Sequence, residues 1–372
     1  MPTSTAAWLR KKNGRLEVGP APYTPPGEHE IVVRNHAVAI NPVDWMMEII
    51  GGLICPWLTY PSVLGSDVAG EVAEVGRSVT RFQVGDRVLG HAVGTEKNRN
   101  SAAEGAFQTY TVLLDHMAAP IPADISYERA AVLPLGLSTA ACGLFQKDFL
   151  ALRLPACRAE PTGETLLVWG GSTSVGSNAI QLAAAAGYEV ITTASPRNFG
   201  YVKGLGASQV FDYRSDTVVA DVIAALHGRS LAGAIAIGTG SAPVCLDIVH
   251  AAEGKKVMAT ASTSVSFERI AGKRARRARL VPLLARLVWG QTALLLKARS
   301  WGIQTKPIWG SALKDNEVGP AIYDDFLPKA LGDGSYIPAP DPLVVGAGLG
   351  HIQTGFDAQR RGVSARKVIV TI

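Results

Sequence analysis

The sequence predicts an α/β chain of two domains: a small β-barrel domain split in the chain, with a doubly wound parallel-sheet domain inserted into it. Three observations predict this. Up to about residue 125 the chain reads as short strands between turns; from Tyr127 helix and strand alternate; and the end returns to a single apolar strand. Strands alternating with helices of ten to fifteen residues imply a parallel sheet covered on both faces. A terminal β-strand after such a domain implies that the chain comes back to complete the first one. The expected division is 1–128 for the first part of the barrel domain, 129–312 for the inserted domain and 313–372 for the return segment.

In chain order, EIVVRNHAVAI (30–40), SDVAGEVAEVG (66–76), DRVLGHAVG (86–94) and FQTYTVLL (107–114) are strands, punctuated by Gly and Pro at the spacing of a small barrel. SYERAAVLPLGLSTAACGLF (126–145) is helical. Thr165 to Trp169 is an apolar strand, Val175 to Ala186 a helix, and Glu189 to Thr193, Gln209 to Phe211, Ala234 to Ile237 and Lys256 to Thr260 are further strands. The last 60 residues read as turns, a helix around Gln353 to Arg360 and a closing strand at 367–372.

Composition narrows the function classes. The 372 residues are 47% hydrophobic and 18% charged, enough for two cores, as in cytosolic enzymes. The N-terminus has no apolar run to act as a signal sequence, and no later run spans a bilayer without a charge or strong polar residue, so a soluble, cytoplasmic protein with no membrane span is expected. Cys55, Cys142, Cys157 and Cys245 lie far apart with no CxxC pair, which argues against a disulfide framework or a zinc knot. Nine Lys or Arg and no acid fall between Arg269 and Arg299, so the formal charge of +5 is local and the rest of the chain is net acidic. Nucleic acid is not an expected partner.

The most informative stretch runs from Leu166 to Asn198. Its apolar strand stops at Gly170-Gly171, and a helix follows with an inner face of Val175, Ala179, Leu182, Ala183 and Ala186, small enough to lie close on the sheet. The N-terminus of that helix aims free N–H groups and the positive end of its dipole at whatever lies over the turn, which suits a phosphate. Against G-x-G-x-x-G, the turn keeps Gly171 and Gly176 but has Thr173 in the middle, where a hydroxyl is offered to the pyrophosphate. An NAD-binding unit carries an acid about 20 residues further on; here Ser195, Pro196, Arg197 and Asn198 supply one cation and two neutral donors. That exchange favours NADPH over NADH. A glycine-rich turn alone is also an ordinary tight connection, so the strand, the small-faced helix and the cation carry the reading together.

GSDVAGEVAEVG at 65–76 with VGDRV at 84–88, NPVDW at 41–45, GAFQTY at 105–110, the nucleotide unit and the tail GLGHIQTGFDAQRRGVSARKVIV at 348–370 together resemble the zinc-independent medium-chain dehydrogenase/reductases. The resemblance covers nearly the whole chain. Within the family the chain is most similar to the quinone-oxidoreductase-like branch, in particular to stand-alone, trans-acting enoyl reductases of fungal polyketide pathways, through SPRN and FDYR. It implies a split GroES-like β-barrel domain, a Rossmann domain and a cleft between them. It also implies a cofactor site made of Ser172, Thr173, Ser174 and Val175 at the pyrophosphate, and of Ser195, Pro196, Arg197 and Asn198 with Tyr213 at the 2′-phosphate. Asp44, Trp45 and Met46 and Val363 and Ser364 would approach the cofactor from the barrel domain, and Gly136, Leu137, Ser138, Thr139 and Ala140 would line the substrate side.

Zinc-dependent relatives carry a Cys at or near Asn41 and Gly-His-Glu where this chain has Gly65-Ser66-Asp67, so the resemblance implies no catalytic zinc. Conjugate reduction by NADPH of an enone, enoyl thioester or quinone remains, with hydride going to the β-carbon and hydrogen bonds stabilising the enolate. Tyr60, Thr139 and Tyr110 are candidate donors by neighbourhood. Similar reductases often have a lysine where this chain has Met46; a methionine cannot donate, which keeps open a redox-silent cyclase or binding protein. The expected partners are a small-molecule or carrier-bound enoyl substrate and a polyketide synthase, with the chain a monomer or homodimer. KRARRAR (273–279) leads into an apolar segment that Pro282 and Gly290 are expected to interrupt. It reads as a solvated charge run and covering helix, or else as a positive collar for an anionic carrier or a membrane-surface helix.

Overall fold

The computed structural model describes residues 3–262, 265–267 and 273–372, with the side chains of 273–279 outside the description. The expected collar of KRARRAR therefore lies outside the described residues as far as its side chains go. The chain forms two compact units, one made of residues up to Ser138 and from Ser311 onward, the other of Thr139–Gly310.

In the first unit the strands Glu30–Ala39, Asp67–Val75 and Arg87–His91 pair antiparallel in sequence, and the closing strand Arg366–Thr371 adds to Glu30–Ala39 on its other side, with Ile369 opposite Ala39. Asp341–Ala347 pairs parallel with that closing strand through the crossover helix Ile352–Arg361. A three-stranded sheet of Leu16–Ala21, Ser4–Leu9 and Ser62–Val63 accompanies them. Two features go beyond the sequence reading. Residues Pro42–Ile54 are a helix, begun by a capping box in which the Asn41 side chain meets the Asp44 N–H and the Asp44 carboxylate accepts the Asn41 N–H. The expected single helix over 126–145 is two, Tyr127–Ala130 and Pro134–Phe145.

The division at 138/139 falls inside Pro134–Phe145, ten residues beyond the expected one. The reason is local: the Leu135 N–H donates to Asp67, and the Ser138 hydroxyl bonds His91 and Tyr323 of the first unit, so the first turn of this helix belongs there.

The second unit is a six-stranded sheet in the order Gln209–Asp212, Glu189–Ala194, Glu164–Trp169, Ser230–Ala236, Val257–Thr260, Gln304–Pro307, every pair parallel. Its core includes Leu167, Ile191, Ala234, Leu246 and Met258, each without exposure. Residues Lys273–Ser300 form one helix straight through Pro282 and Gly290, contrary to the expected interruption. Proline removes one hydrogen bond and crowds a carbonyl. Pro282 is exposed, so water can satisfy the stranded carbonyl, while Leu294 and Ala298 are buried in the core and hold the helix in register.

Candidate functional site

The strand order places the reversal of direction between Glu164–Trp169 and Ser230–Ala236, and ligands of open α/β sheets bind outside the carboxyl ends of the strands at that point. The turn after Trp169 is built for it. Gly170 has φ +89°, a conformation that side chains rarely adopt, and a Cβ on Gly176 would stand 2.2 Å from the Gly170 carbonyl oxygen, so only glycine lets helix Ser174–Ala185 approach the strand this closely. The Thr173 hydroxyl donates to the Gly170 carbonyl (2.8 Å) and accepts the Gly176 N–H (3.0 Å). Thr173 is thus the helix N-cap, and its proton is committed within the turn rather than offered outward. Ser174 differs: its Oγ is buried without a hydrogen-bond partner. The N–H groups of Ser174 and Val175 occupy the first two helix positions, which have no intrahelical acceptor. An orphaned hydroxyl, free N–H groups and the dipole end fit a pyrophosphate.

On the neighbouring strand, Ala194 leads into Ser195, which is buried, and into the turn Pro196–Asn198, closed by the Asn198 N–H donating to the Ser195 carbonyl (2.8 Å). Arg197 is exposed. Ala194 stands opposite Asp212 in the parallel register, so SPRN and FDYR lie side by side. Tyr213 is exposed, with the Arg214 guanidinium 5.3 Å over its ring. Ser172 to Val175, Ser195 to Asn198 and Tyr213 are therefore brought to one edge of one sheet. Asp212, the last residue of its strand, accepts the Arg214 N–H at Oδ1 (3.0 Å), which shapes the turn that carries Tyr213.

The first unit holds a buried polar cluster that the sequence did not announce. Asp67 has no exposure and Lys367 almost none. The Lys367 ammonium donates to Asp67 Oδ2 (2.8 Å) and to Asn41 Oδ1 (2.5 Å), the Asn41 amide donates to the same Asp67 oxygen (2.7 Å), and the Leu135 N–H donates to Asp67 Oδ1 (2.6 Å). A carboxylate so enclosed has both oxygens taken. Beside it, burial pushes the Asp44 carboxyl up to about 7, opposed by the Asn41 N–H it accepts (2.7 Å) and reinforced by the charge of Asp67. Among the described residues no group of three or more His, Cys, Asp or Glu is placed to hold a metal ion.

A second buried chain fixes a histidine tautomer. The Tyr323 hydroxyl donates to the Pro134 carbonyl (3.0 Å), so at 2.8 Å from Ser138 Oγ it must accept. Ser138 then gives its proton to Tyr323 and accepts from His91 Nδ1 (2.8 Å), which leaves Nε2 to accept from Ser311 Oγ (3.3 Å). His91 is neutral in this arrangement, and burial pushes it down to about 4, offset in part by Asp67.

The remaining sequence candidates divide plainly. Asp44 and Trp45 are each 3% exposed, Asp44 tied to Asn41 and Trp45 donating from Nε1 to Gln359 (2.5 Å) with Arg360 over its ring. Met46 and Val363 are half-buried and Ser364 exposed. On helix Pro134–Phe145, Gly136, Leu137, Ser138 and Ala140 are buried, and Thr139 is half-buried with its Oγ1 against Gly310, where a Cβ would meet it at 2.6 Å. The ring of Tyr110 packs edge-on to Tyr23 at 5.3 Å. Tyr60 alone of the candidate donors has a buried hydroxyl without a partner, and burial raises its pKa, so the phenol keeps its proton at neutral pH.

The alcohol dehydrogenase GroES-like domain family matches residues 27–123. The whole chain aligns with the whole of dehydrogenase pigH of Monascus ruber at 52% identity over 376 residues. The chain belongs to the medium-chain dehydrogenase/reductase family. Its enoyl-reductase-like branch is represented by trans-enoyl reductase himH of Aspergillus japonicus, 36% identical over 99% of this chain and 97% of that one. Among solved structures, an alcohol dehydrogenase superfamily protein from Novosphingobium aromaticivorans superposes over all of both chains with a TM-score of 0.73 at 22% identity, which speaks for the two-domain α/β fold of the medium-chain dehydrogenases. The chain is thus an oxidoreductase of this family with a GroES-like and a Rossmann part.

Proposed function

We propose that this protein is an NADPH-dependent reductase of an activated carbon–carbon double bond, an enoyl thioester or enone, acting without zinc in secondary, polyketide metabolism. The observation that carries the cofactor reading is the second strand end of the Rossmann sheet, where Ser195, Pro196 and exposed Arg197 follow in place of a carboxylate. The Ser174 hydroxyl and the Ser174 and Val175 N–H groups would hold the pyrophosphate, and Arg197, Asn198 and Tyr213 the 2′-phosphate. When bound there, NADPH would supply the hydride for conjugate reduction of the double bond.

The chain's own residues supply positioning and protons. Tyr60 holds a proton at Oη with no internal acceptor competing for it, which suits hydrogen bonding to an enolate. The zinc-independent reading is supported by what stands at the relevant positions: an amide at Asn41, a hydroxyl at Ser66, and Asp67 closed by a lysine ammonium. That the relative himH is named a trans-enoyl reductase supports the double-bond reading; a carrier-bound substrate delivered by a polyketide synthase is part of this proposal.

The test is NADPH oxidation with a panel of enoyl thioesters, enones and quinones, in the parent and in Arg197→Glu. Enoyl thioester or enone turnover is expected, with the preference for NADPH over NADH lowered at least about tenfold in the variant, about 1.4 kcal/mol of discrimination. Tight NADPH binding without turnover of any substrate overturns the reductase reading; turnover of quinones alone favours a quinone reductase. An unchanged cofactor preference in Arg197→Glu overturns the 2′-phosphate site.

A further inference from the structure

Within the Rossmann unit, one face of helix Lys273–Ser300 is sealed and the opposite face is open. Leu294 and Ala298 are buried in the core, and Lys297 is turned to the protein by its ion pair with Asp247 (2.5 Å) and its place over the Trp301 ring. Opposite them, Val281, Val288 and Leu295, seven residues apart and so in one line, are exposed, as are Trp289 and Leu296 beside them; Trp289 is 78% exposed. Among the described residues, Leu280–Ser300 is also the helix long and apolar enough to cross a membrane by length and composition. A helix apolar on both faces is ordinarily buried on both, and a contiguous apolar stripe left open marks a surface that something covers.

We infer that this helix docks, lying flat, on an anionic phospholipid surface. Spanning is ruled out by the buried side: Leu294 and Ala298 would have to leave the core of the sheet unit. Charge complementarity identifies the cover. The run from 269 to 299 holds nine Lys or Arg and no acid, and of these Arg286 and Arg299 are exposed without an ion pair among the described residues. Apolar side chains with a tryptophan, joined to a basic run, are the composition that seats a helix at the boundary of headgroups and acyl chains and draws it to negative lipid. A second copy of the chain fits less well, because pairing through the same face brings two basic runs together with no carboxylate in either to meet them. The inference is independent of the substrate assigned above.

Flotation of the full-length protein with vesicles of phosphatidylcholine alone, and with about 30 mol% phosphatidylserine, tests it. At low salt the protein is expected to float with the phosphatidylserine vesicles and to bind phosphatidylcholine at least about tenfold more weakly, with release as salt approaches about 0.5 M. Trp289→Glu/Leu296→Glu is expected to weaken flotation at least about tenfold while leaving the melting temperature and NADPH binding unchanged. Should that variant misfold, Arg286→Gln/Arg299→Gln keeps the apolar face and is expected to lower the binding to phosphatidylserine vesicles and its salt dependence. Failure to float with phosphatidylserine vesicles, equal flotation of Trp289→Glu/Leu296→Glu, or a solution dimer that this variant converts to monomer each overturns the inference, the last by identifying a second copy as the cover.

Discussion

Thr173 and Ser174 are adjacent hydroxyl residues with opposite fates: one closes the turn as an N-cap, the other keeps a buried oxygen without a hydrogen-bond partner. The sequence shows three hydroxyls in a row, and only backbone geometry separates them. Asp44 offers a test at the same scale. An Asp titrates near 3.9 in an unfolded chain, and the fold pushes this one up to about 7. The fold therefore holds the proton more tightly, and the stability from this group is complete below about pH 4 and lost as pH rises through 7. His91, pushed down to about 4 from an ordinary value near 6.5, acts the other way: its contribution is present above 6.5 and lost as pH falls through 4. The two slopes oppose each other over the same interval. Asp44→Asn keeps an acceptor for the Asn41 N–H without the titration. Relative to the parent, its melting temperature is expected to be highest near pH 7.5 and to fall toward the parent's near pH 5. A difference that does not change with pH refutes the buried, proton-retaining Asp44.

Among the elements, the strand Glu164–Trp169 and the helix Ser174–Ala185 were legible to within a residue, because an unbroken apolar run and a small-faced 3.6-residue period each admit one reading. Gly176 is where the two meet. Gly176→Ala puts a Cβ 2.2 Å from the Gly170 carbonyl oxygen, against backbone that cannot swing aside. The substitution is expected to cost about 1–3 kcal/mol of stability and to lower NADPH affinity at least about tenfold, measured by thermal denaturation and cofactor fluorescence titration; wild-type values in both refute close packing as the reason for the glycine. Helix Lys273–Ser300 was misread because proline and glycine weigh heavily in local propensity, whereas burial of Leu294 and Ala298 is a tertiary term absent from any window. Helix Pro42–Ile54 was not anticipated from NPVDW; its start rests on the reciprocal bonds of Asn41 and Asp44.

For the molecule as a whole, the return of the chain is locked by one buried triangle. Lys367 from the closing strand, Asp67 from the start of strand Asp67–Val75 and Asn41 from the start of helix Pro42–Ile54 meet with little or no contact with water. Removing one partner strands a charge. Lys367→Met is expected to cost about 3–5 kcal/mol, while adding Asp67→Asn to it restores part of the loss, since the orphaned charge is then gone. Chemical denaturation of the two single variants and the double variant measures the coupling; simple additivity of the losses refutes an ion pair as the lock.

By itself the sequence determined the α/β class, the insertion of one domain into another and the glycine turn between strand Glu164–Trp169 and helix Ser174–Ala185. The class and the turn rest on periodicity and glycine spacing within short windows, which local physics dictates, and the insertion rests on the order of those windows along the chain. Tertiary structure alone decided that Thr173 closes the turn while the Ser174 hydroxyl is buried without a partner, that Ser138 serves His91 and Tyr323, and that Lys367 meets Asp67 and Asn41. Those partners lie up to 326 residues apart, and burial and hydrogen-bond direction exist only once the chain has closed on itself.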